Sequence, residues 1–358
     1  MIYLISIERE PNLAVENQNS PNMSTLAQPK TLWIKDPKFD LIYLSFGWIA
    51  VYLAFVIFEN YFATILIIVA ATSFVHRHYT FALVYGQKEE FEKRKRAYIL
   101  LPIAFLVIAV TFYKLNIFSV LLAVSIVWLM YHTIAQKYGL TRIYSRKAGY
   151  GDAWLDKGII YSWFVYLFFA LGERNRGLLS EYHEGRTLLK YLGDYFHIFT
   201  TISYVALAVA IAFTAVYIYV ELKNWDKISL PKNIFVFSIL LLYAIFFQNL
   251  VIGFLVFGFS HAIEYIAFVN LFVNSKYKKR PDTRSFFSKV TKKQWLYAGI
   301  FTVILAGISV AGININEYAL GLYITGSSFL HFIYDGWIWK VSKPEVSKPL
   351  GLKPITPS

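Results

Sequence analysis

The chain contains no cysteine and few charged residues. The absence of cysteine excludes disulfide bonds, thiolate-bound zinc or iron–sulfur clusters, and thiolate-ligated haem. Any metal site must therefore use histidine, aspartate, glutamate, glutamine or tyrosine. Only 16% of the residues are charged and 57% are apolar, and the apolar residues form runs long enough to cross a hydrocarbon layer of about 30 Å. This composition excludes a soluble domain.

The apolar runs predict membrane-spanning α-helices. A spanning segment must satisfy its own backbone hydrogen bonds, and stretches such as 97–113 lack the strict alternation of a β-barrel strand. The sequence therefore predicts an all-α, polytopic transmembrane helical bundle of about ten helices. Their expected ranges are 40–58, 61–85, 97–113, 116–138, 157–172, 195–221, 233–248, 249–273, 294–312 and 317–341.

The boundary between the seventh and eighth predicted helices lies within the apolar run 233–273. These forty-one residues are too many for one crossing, and Gln248-Asn249 is the only polar break in them. We therefore expect two helices that meet at this dipeptide.

The basic residues indicate the orientation of the bundle. A formal charge of +13 could indicate nucleic-acid binding, but in a multi-pass protein lysine and arginine normally collect in cytoplasmic loops. With ten helices and a cytoplasmic amino terminus, 29 of the 35 basic residues fall in the tails and the cytoplasmic loops, including 137–157 and 274–293. We therefore expect both termini in the cytoplasm and no nucleic-acid partner. The one long external connection, 173–194, is expected to be a plain connector rather than a lid.

Three segments are expected along the chain. Residues 1–35 form a disordered polar tail, 36–341 a single transmembrane domain, and 342–358 a cytoplasmic carboxyl-terminal tail. Met23, followed by Ser24 and Thr25 just before the first structured region, leaves open whether the chain starts at Met1 or Met23.

The placement of the histidines is the most informative feature of the sequence. Five of the seven fall in predicted helices that run in the same direction: His76, His78, His132 and His331 late in their helices, and His261 midway to late. They are therefore expected at similar depth in the cytoplasmic half of the membrane, although they come from distant parts of the chain. The plainer alternative is that each is an interfacial or core residue bonded to a neighbour. His183 and His197 belong to the opposite side.

Three of these histidines have a polar companion at helical spacing. Gln136 follows His132 by four, Glu264 follows His261 by three, and Asp335 follows His331 by four, so that each pair shares a helix face. Ionisable groups at membrane depth are costly and usually mark a functional pathway. A cluster of imidazoles and carboxylates fits iron, copper or zinc, with Glu264, Asp335 or Gln136 as ligands or as groups that orient the ligands.

His76 and His78 are two positions apart and therefore point about 200° apart on a straight helix. Both can bind one ion only if the helix is distorted at this point. Otherwise one is a ligand, and the other faces the headgroups or a neighbouring helix together with Arg77.

The motifs His76-x-His78, His132-x-x-x-Gln136, His261-x-x-Glu264 and His331-x-x-x-Asp335 resemble those of integral-membrane histidine-cluster non-haem iron enzymes, which include lipid desaturases and hydroxylases. The sequence lacks the His-x-x-His-His boxes typical of the desaturases. Membrane-bound carotenoid-cleaving oxygenases, also multi-helical with scattered histidines, are a second class that it resembles.

This resemblance implies a metal-dependent oxidoreductase that uses one or two iron ions and dioxygen on a lipid-soluble substrate. Copper and zinc remain open, and so does the oligomeric state. Since no nucleotide-binding loop is recognisable, such an enzyme needs an external electron donor unless its substrate supplies all the electrons. A proton- or cation-coupled transporter that uses the same side chains is the first alternative. Haem between two histidines is the second.

Overall fold

The computed structural model describes residues 31–175, 177, 196–278, 293–315 and 317–352. These residues form thirteen helices and no strand. The helices are α1 (Pro37–Ser45), α2 (Ile49–Ile57), α3 (Phe62–Tyr85), α4 (Lys88–Lys93), α5 (Lys95–Lys114), α6 (Phe118–Ala148), α7 (Ala153–Arg174), α8 (Phe196–Lys223), α9 (Leu230–Gln248), α10 (Leu250–Lys278), α11 (Gln294–Ile315), α12 (Glu317–Ile338) and α13 (Pro344–Ser347).

Seven of the described helices, α3 and α5 to α10, are long and apolar enough to cross a membrane. The bent pair α1 and α2 makes an eighth crossing if it counts as one span, and α11 contains a shorter apolar stretch, Ala298–Gly312. The expectation of an all-helical, multi-pass membrane protein is confirmed. Each of the ten predicted ranges overlaps a described helix or, for 40–58, the bent pair of helices.

The outer surface of the bundle is apolar. On α5, for example, Leu100, Leu106 and Val107 are each at least 60% exposed. Soluble proteins rarely expose apolar patches of this extent, whereas lipid-facing helices require them because the surrounding hydrocarbon offers no hydrogen bonds. These side chains therefore face lipid.

The first predicted helix, 40–58, is broken rather than continuous. The axes of α1 and α2 differ by 51°, and Gly47 lies in the break. A Cβ atom on Gly47 would lie only 2.6 Å from the Ile42 carbonyl oxygen, so the bend requires glycine. The indole Nε1 of Trp48 donates to the Ser45 carbonyl at 2.9 Å and to Ser238 Oγ of α9 at 3.1 Å, which satisfies part of the interrupted backbone.

The predicted division of 233–273 is confirmed. Helix α9 ends at Gln248, Asn249 is extended with φ −140° and ψ 110°, and α10 begins at Leu250. The Asn249 side-chain oxygen accepts a hydrogen bond from the Ile252 backbone nitrogen at 3.0 Å, which caps the new helix.

Helix α6 ends ten residues later than expected. The predicted range ended at 138 and was followed by a loop, whereas the helix continues to Ala148 and ends at Gly149, which has the left-handed φ of 77° that favours glycine at this position. The loop predicted at 137–157 is therefore wrong for most of its length. As a consequence, Lys137 is a buried helical residue and not a loop residue.

Charged side chains join the four helices α6, α7, α8 and α9 at the end of the bundle that contains the carboxyl terminus of α6. Arg142 of α6 donates to Asp156 of α7 at 2.6 Å, and Lys232 of α9 lies 2.8 Å from Glu221 of α8 and 3.4 Å from Asp156. Because each buried cation has a carboxylate, this network fixes four helices without leaving an unpaired charge.

The predicted amino-terminal tail lies outside the described residues except for 31–35, where Ile34 is buried and donates its backbone N–H to Asp40 at 2.7 Å. The described part of the carboxyl-terminal segment packs on the main core through Val346, Leu350 and Leu352. Most of the segments 173–194 and 274–293 lies outside the described residues, although α10 extends into the second of them.

Helices α3, α6, α10 and α12 position the candidate site. Helix α3 contacts both α10 and α12, and α6 contacts the same two helices. The four helices thus surround a common interior, and each contributes one histidine to it.

Candidate metal centre

Four of the five predicted histidines converge on one point. His76 is 3% exposed, His261 and His331 are fully buried, and the side chain of His132 is 13% exposed. They come from α3, α10, α12 and α6, so the site forms only when four helices pack together. His132 lies near the middle of α6 and not late in it as expected, because that helix extends beyond its predicted end, and His261 lies near the middle of α10.

The rings form a closed quadrilateral. The centroid of His76 lies 4.9 Å from that of His261 and 4.7 Å from that of His331. The centroid of His132 lies 5.0 Å and 4.9 Å from the same two rings, and the His261–His331 diagonal is 5.9 Å.

These distances suit a single ion. A metal–nitrogen bond of about 2.1 Å puts an imidazole centroid about 3.2 Å from the ion, so neighbouring rings lie roughly 4.5 Å apart in square-planar and roughly 5.2 Å apart in tetrahedral coordination. The four edges of the quadrilateral fall between these two values. His76, His261 and His331 can each offer a ligand atom within 4.8 Å of the others, and the same holds for His132, His331 and Asp335.

Six of the eight ring nitrogens in the cluster lack hydrogen-bond partners. Both nitrogens of His76 and of His261, and the Nε2 atoms of His132 and His331, are buried and make no hydrogen bond of normal geometry among the described residues. More than nine-tenths of buried polar groups in proteins are paired, and an unpaired one costs about 1–3 kcal/mol. Since each ring can offer one nitrogen to an ion, four of these six atoms could be metal ligands, with bonds that replace the missing hydrogen bonds.

A hydroxyl group sets the orientation of His331. Its Nδ1 atom lies 2.7 Å from Oγ1 of Thr80, which in turn donates to Asp335 Oδ1 at 2.9 Å. If Thr80 donates to the carboxylate, it must accept from the Nδ1–H of His331, and the lone pair of that ring is left on Nε2. This is the arrangement in which a second bond orients a metal-binding histidine.

One carboxylate oxygen of Asp335 is hydrogen-bonded to hydroxyl groups, and the other faces two histidines. Its Oδ1 atom also accepts from the Tyr265 hydroxyl at 2.7 Å, and Tyr265 accepts from the Trp339 indole at 3.2 Å. Its Oδ2 atom lies 3.4 Å from His132 Nε2 and 3.7 Å from His331 Nδ1. The carboxylate is therefore placed to bind an ion or to accept a proton from an imidazole.

His78 lies outside the cluster. Its Nδ1 atom is 2.7 Å from the Phe74 carbonyl oxygen and its Nε2 atom is 2.6 Å from the Tyr323 hydroxyl, so both ring nitrogens are used elsewhere. Helix α3 is continuous at this point, and the two histidines diverge as the spacing requires. His76 alone joins the site, and the expected ligand role of His78 does not agree with its contacts.

Glu264 and Gln136 lie beside the histidines in roles other than the predicted ones. Glu264 Oε1 accepts from Lys137 at 2.6 Å and from Ser260 at 2.6 Å, so its charge is balanced by Lys137. Gln136 donates to Glu264 Oε2 at 3.2 Å and to the His261 carbonyl at 3.1 Å. It therefore fixes α10 against α6 and does not orient the His132 ring.

Sequence reasoning missed Thr80, Tyr265 and Lys137. Thr80 follows His76 by four and Tyr265 follows His261 by four, so helical spacing could have placed both on the histidine-bearing faces. Lys137 was missed because the loop predicted at 137–157 began with this residue, whereas α6 continues to Ala148.

A cavity of about 320 Å³ adjoins the cluster between α6, α10 and α12. Its wall includes four polar side chains of the site: His132, Gln136, Tyr265 and Asp335. Trp128 and Tyr131 also line it and are 43% and 49% exposed on the outer face of α6. The cavity therefore connects the polar groups to the apolar surface of the bundle.

Comparisons with protein-family models, curated proteins and solved structures find no match for this chain. The function must therefore be inferred from the chemistry of the site.

Proposed function

We propose that the protein is a membrane-embedded, metal-dependent oxidoreductase. The observation that carries this proposal is the convergence of six buried, unpaired imidazole nitrogens beside a cavity that reaches the apolar surface. Imidazole with carboxylate suits iron, copper and zinc. Iron is our first choice because iron with dioxygen oxidises unactivated lipids in the class of enzymes that the histidine motifs resemble.

The proposed ligands are His76, His132, His261 and His331, with Asp335 as a fifth ligand or as the acceptor of an imidazole proton. We expect one ion, since the four rings surround one point at spacings of 4.7–5.0 Å. Thr80 would hold His331 in the tautomer that leaves Nε2 available.

The cavity supports a lipid-soluble substrate that enters sideways from the bilayer. Its lining is mainly aromatic and aliphatic, and its exposed edge at Trp128 and Tyr131 belongs to a helix that can span the membrane. Asp335 and the Tyr265 hydroxyl would face the bound substrate and could hold or transfer a proton at the end of the cavity. We keep the expectation of an external electron donor, since no nucleotide-binding loop is recognisable.

We further propose that ten segments cross the membrane with both termini in the cytoplasm and the metal site in the cytoplasmic half. The ten helical segments and the distribution of the basic residues support this topology. The extension of α6 to 31 residues, about 46 Å at 1.5 Å per residue, supports an end that projects beyond the hydrocarbon on the side that carries Arg142 and Arg146.

Elemental analysis of the detergent-purified protein, together with an absorption spectrum, tests the proposal. We expect about one iron or copper ion per chain, no Soret band, and loss of the ion in His261→Ala and His331→Ala. Absence of metal after gentle purification and after reconstitution with Fe²⁺, Cu²⁺ and Zn²⁺ would rule out the metal centre.

The cavity has its own test. A Cβ atom on Gly139 meets no atom within 4 Å, so Gly139→Phe can fill the cavity without a clash at its base. We expect this variant to keep its metal and to lose co-purifying lipid that mass spectrometry detects in the wild type. Gly299→Phe of α11, which is also free of close contacts and does not line the cavity, serves as the control.

Proton- or cation-coupled transport is the second candidate. The buried Lys137–Glu264 pair beside the cluster is the observation that favours it, because such pairs occur in membrane proton pathways. Purified protein without metal and proton flux in liposomes that stops in Glu264→Gln would support transport. Haem is disfavoured, since His76 and His132 each lie 4.7–5.0 Å from both His261 and His331 and would occupy the space of a macrocycle bound between those two rings.

A further inference from the structure

Arg77 is a buried cation without an anion. It is 7% exposed, and its only hydrogen bond among the described residues runs from Nη1 to Ser328 Oγ at 2.9 Å. Its Nε atom is buried and unpaired, and no carboxylate of the described chain lies within ion-pair distance. The Phe74 ring, 5.9 Å from the guanidinium carbon, gives only a weak compensating contact.

Three other cations inside the bundle are paired with carboxylates. Lys137 lies 2.6 Å from Glu264, Arg142 lies 2.6 Å from Asp156, and Lys232 lies 2.8 Å from Glu221. The chain thus supplies carboxylates to three cations inside the bundle and leaves Arg77 without one. Because an unpaired charge at membrane depth is costly, a ligand that brings an anion to Arg77 would be stabilising.

An apolar groove lies close to Arg77, which is not itself part of its wall: Phe81 of the wall follows Arg77 by one helical turn, and Ser327 of the wall precedes Ser328, the hydrogen-bond partner of Arg77. It has a volume of about 320 Å³, lies between α3, α5 and α12, and is lined in part by Phe81, Phe105, Leu106, Tyr323 and Ser327. Two contacts connect it to the arginine region. Tyr323 binds His78, the residue after Arg77, and the Phe81 ring lies 5.5 Å from the His78 ring.

We propose that this groove binds a lipid carboxylic acid, with the chain along α5 and the carboxylate at Arg77. Arginine is suited to a carboxylate because its planar fork donates two parallel hydrogen bonds. Arg77 lies eight residues before the end of α3, about 12 Å along the helix axis, which is deeper than a phospholipid phosphate at the membrane surface. A single-chain acid, by contrast, can enter sideways with its whole length. This site does not depend on the proposed metal centre.

Binding of cis-parinaric acid, a fluorescent C18 acid, and of its methyl ester to the purified full-length protein in detergent tests the proposal. We expect wild type to bind the acid at least tenfold more tightly than the ester, and Arg77→Gln to bind both equally. Arg174→Gln, which changes an exposed arginine of α7, should keep the preference. Equal binding of acid and ester by wild type, or an unchanged preference in Arg77→Gln, would overturn the proposal.

Four further measurements keep the result interpretable. Gly326→Leu adds a side chain in the groove, where a Cβ atom meets nothing within 4 Å, and should weaken both acid and ester at least tenfold. If Arg77→Gln does not fold, stearic acid should still raise the melting temperature of wild type and of Arg77→Lys, and methyl stearate should not.

Stronger displacement of the probe by phosphatidic acid than by stearic acid would overturn the carboxylate assignment. The acid preference should persist in His261→Ala, so failure of the metal proposal and failure of this one are distinguishable.

Discussion

Thr80 Oγ1 lies 2.7 Å from Nδ1 of His331, and this contact joins α3 to α12 at the centre of the candidate metal site. The same hydroxyl lies 2.9 Å from Asp335 Oδ1, so a residue that binds no metal itself connects an imidazole to a carboxylate. Groups of this kind fix the tautomer and the direction of a ligand, and their loss typically lowers metal affinity by about 10–100-fold.

Thr80→Val should therefore lower the affinity for the metal by about 10–100-fold while the protein remains folded. Competition with a chromophoric chelator measures the affinity. Thr133→Val is a matched control, since Thr133 is fully buried next to His132 and its hydroxyl has no partner among the described residues. Equal affinities in the two variants would show that the Thr80 hydroxyl does not orient His331.

His76→Ala and His78→Ala should behave differently although they are two positions apart. His78 uses both ring nitrogens on Phe74 and Tyr323, whereas both nitrogens of His76 are unpaired and lie in the cluster. We expect near-complete metal content in His78→Ala and at most a tenth of it in His76→Ala, measured by elemental analysis. Equal loss in both variants would mean that α3 is distorted in the metal-bound protein.

Glu264→Gln should destabilise the protein more than it affects the metal. Removal of one partner of a buried ion pair costs about 3–5 kcal/mol, and here it leaves Lys137 charged and unpaired. We expect a lower melting temperature in detergent, most of which Lys137→Met in the same chain should restore. Glu345→Gln is the control, because its pair with Lys93 is exposed and such pairs contribute about 0–1 kcal/mol. Metal loss at an unchanged melting temperature would instead make Glu264 a ligand, as expected from the sequence.

Two glycines of α10 should respond differently to alanine. A Cβ atom on Gly253 would overlap with Cα of Phe246 at the tight connection from α9, whereas one on Gly258 meets nothing within 4 Å. Gly253→Ala should lower the melting temperature, and Gly258→Ala should leave it unchanged or raise it, since alanine favours a helix interior by about 0.5–1 kcal/mol. A stable Gly253→Ala would mean that α9 and α10 can move apart at Asn249.

The helices could be predicted from the sequence because each spanning segment satisfies its own backbone and is read from a continuous apolar run. The break at Asn249 was predicted because the apolar run 233–273 is too long for one crossing and is interrupted only by Gln248-Asn249. The end of α6 was missed because Lys137, Arg142 and Arg146 resemble a loop in sequence, although their side chains are accommodated on a helix by partners from other parts of the chain. The bend at Gly47 was missed because the close approach of Ile42 is a three-dimensional contact.

The candidate ligands were predictable in part. Position along the helices brought His76, His132, His261 and His331 together, and the four-residue spacing placed Asp335 with His331. Glu264 has the same kind of spacing relative to His261, yet its carboxylate turns to Lys137. Spacing fixes which face of a helix a residue occupies but not which neighbouring helix supplies the nearest opposite charge.

The sequence by itself determined an all-helical membrane protein without thiolate chemistry, and it determined which helices carry histidine. Only the tertiary structure decided which imidazole nitrogens face one another, that His78 is excluded, and that Lys137 neutralises Glu264. The physical reason is the range of the forces. Backbone hydrogen bonding and hydrophobic burial act within a segment, whereas a metal centre depends on angles and distances of a few ångströms between side chains of four separate helices.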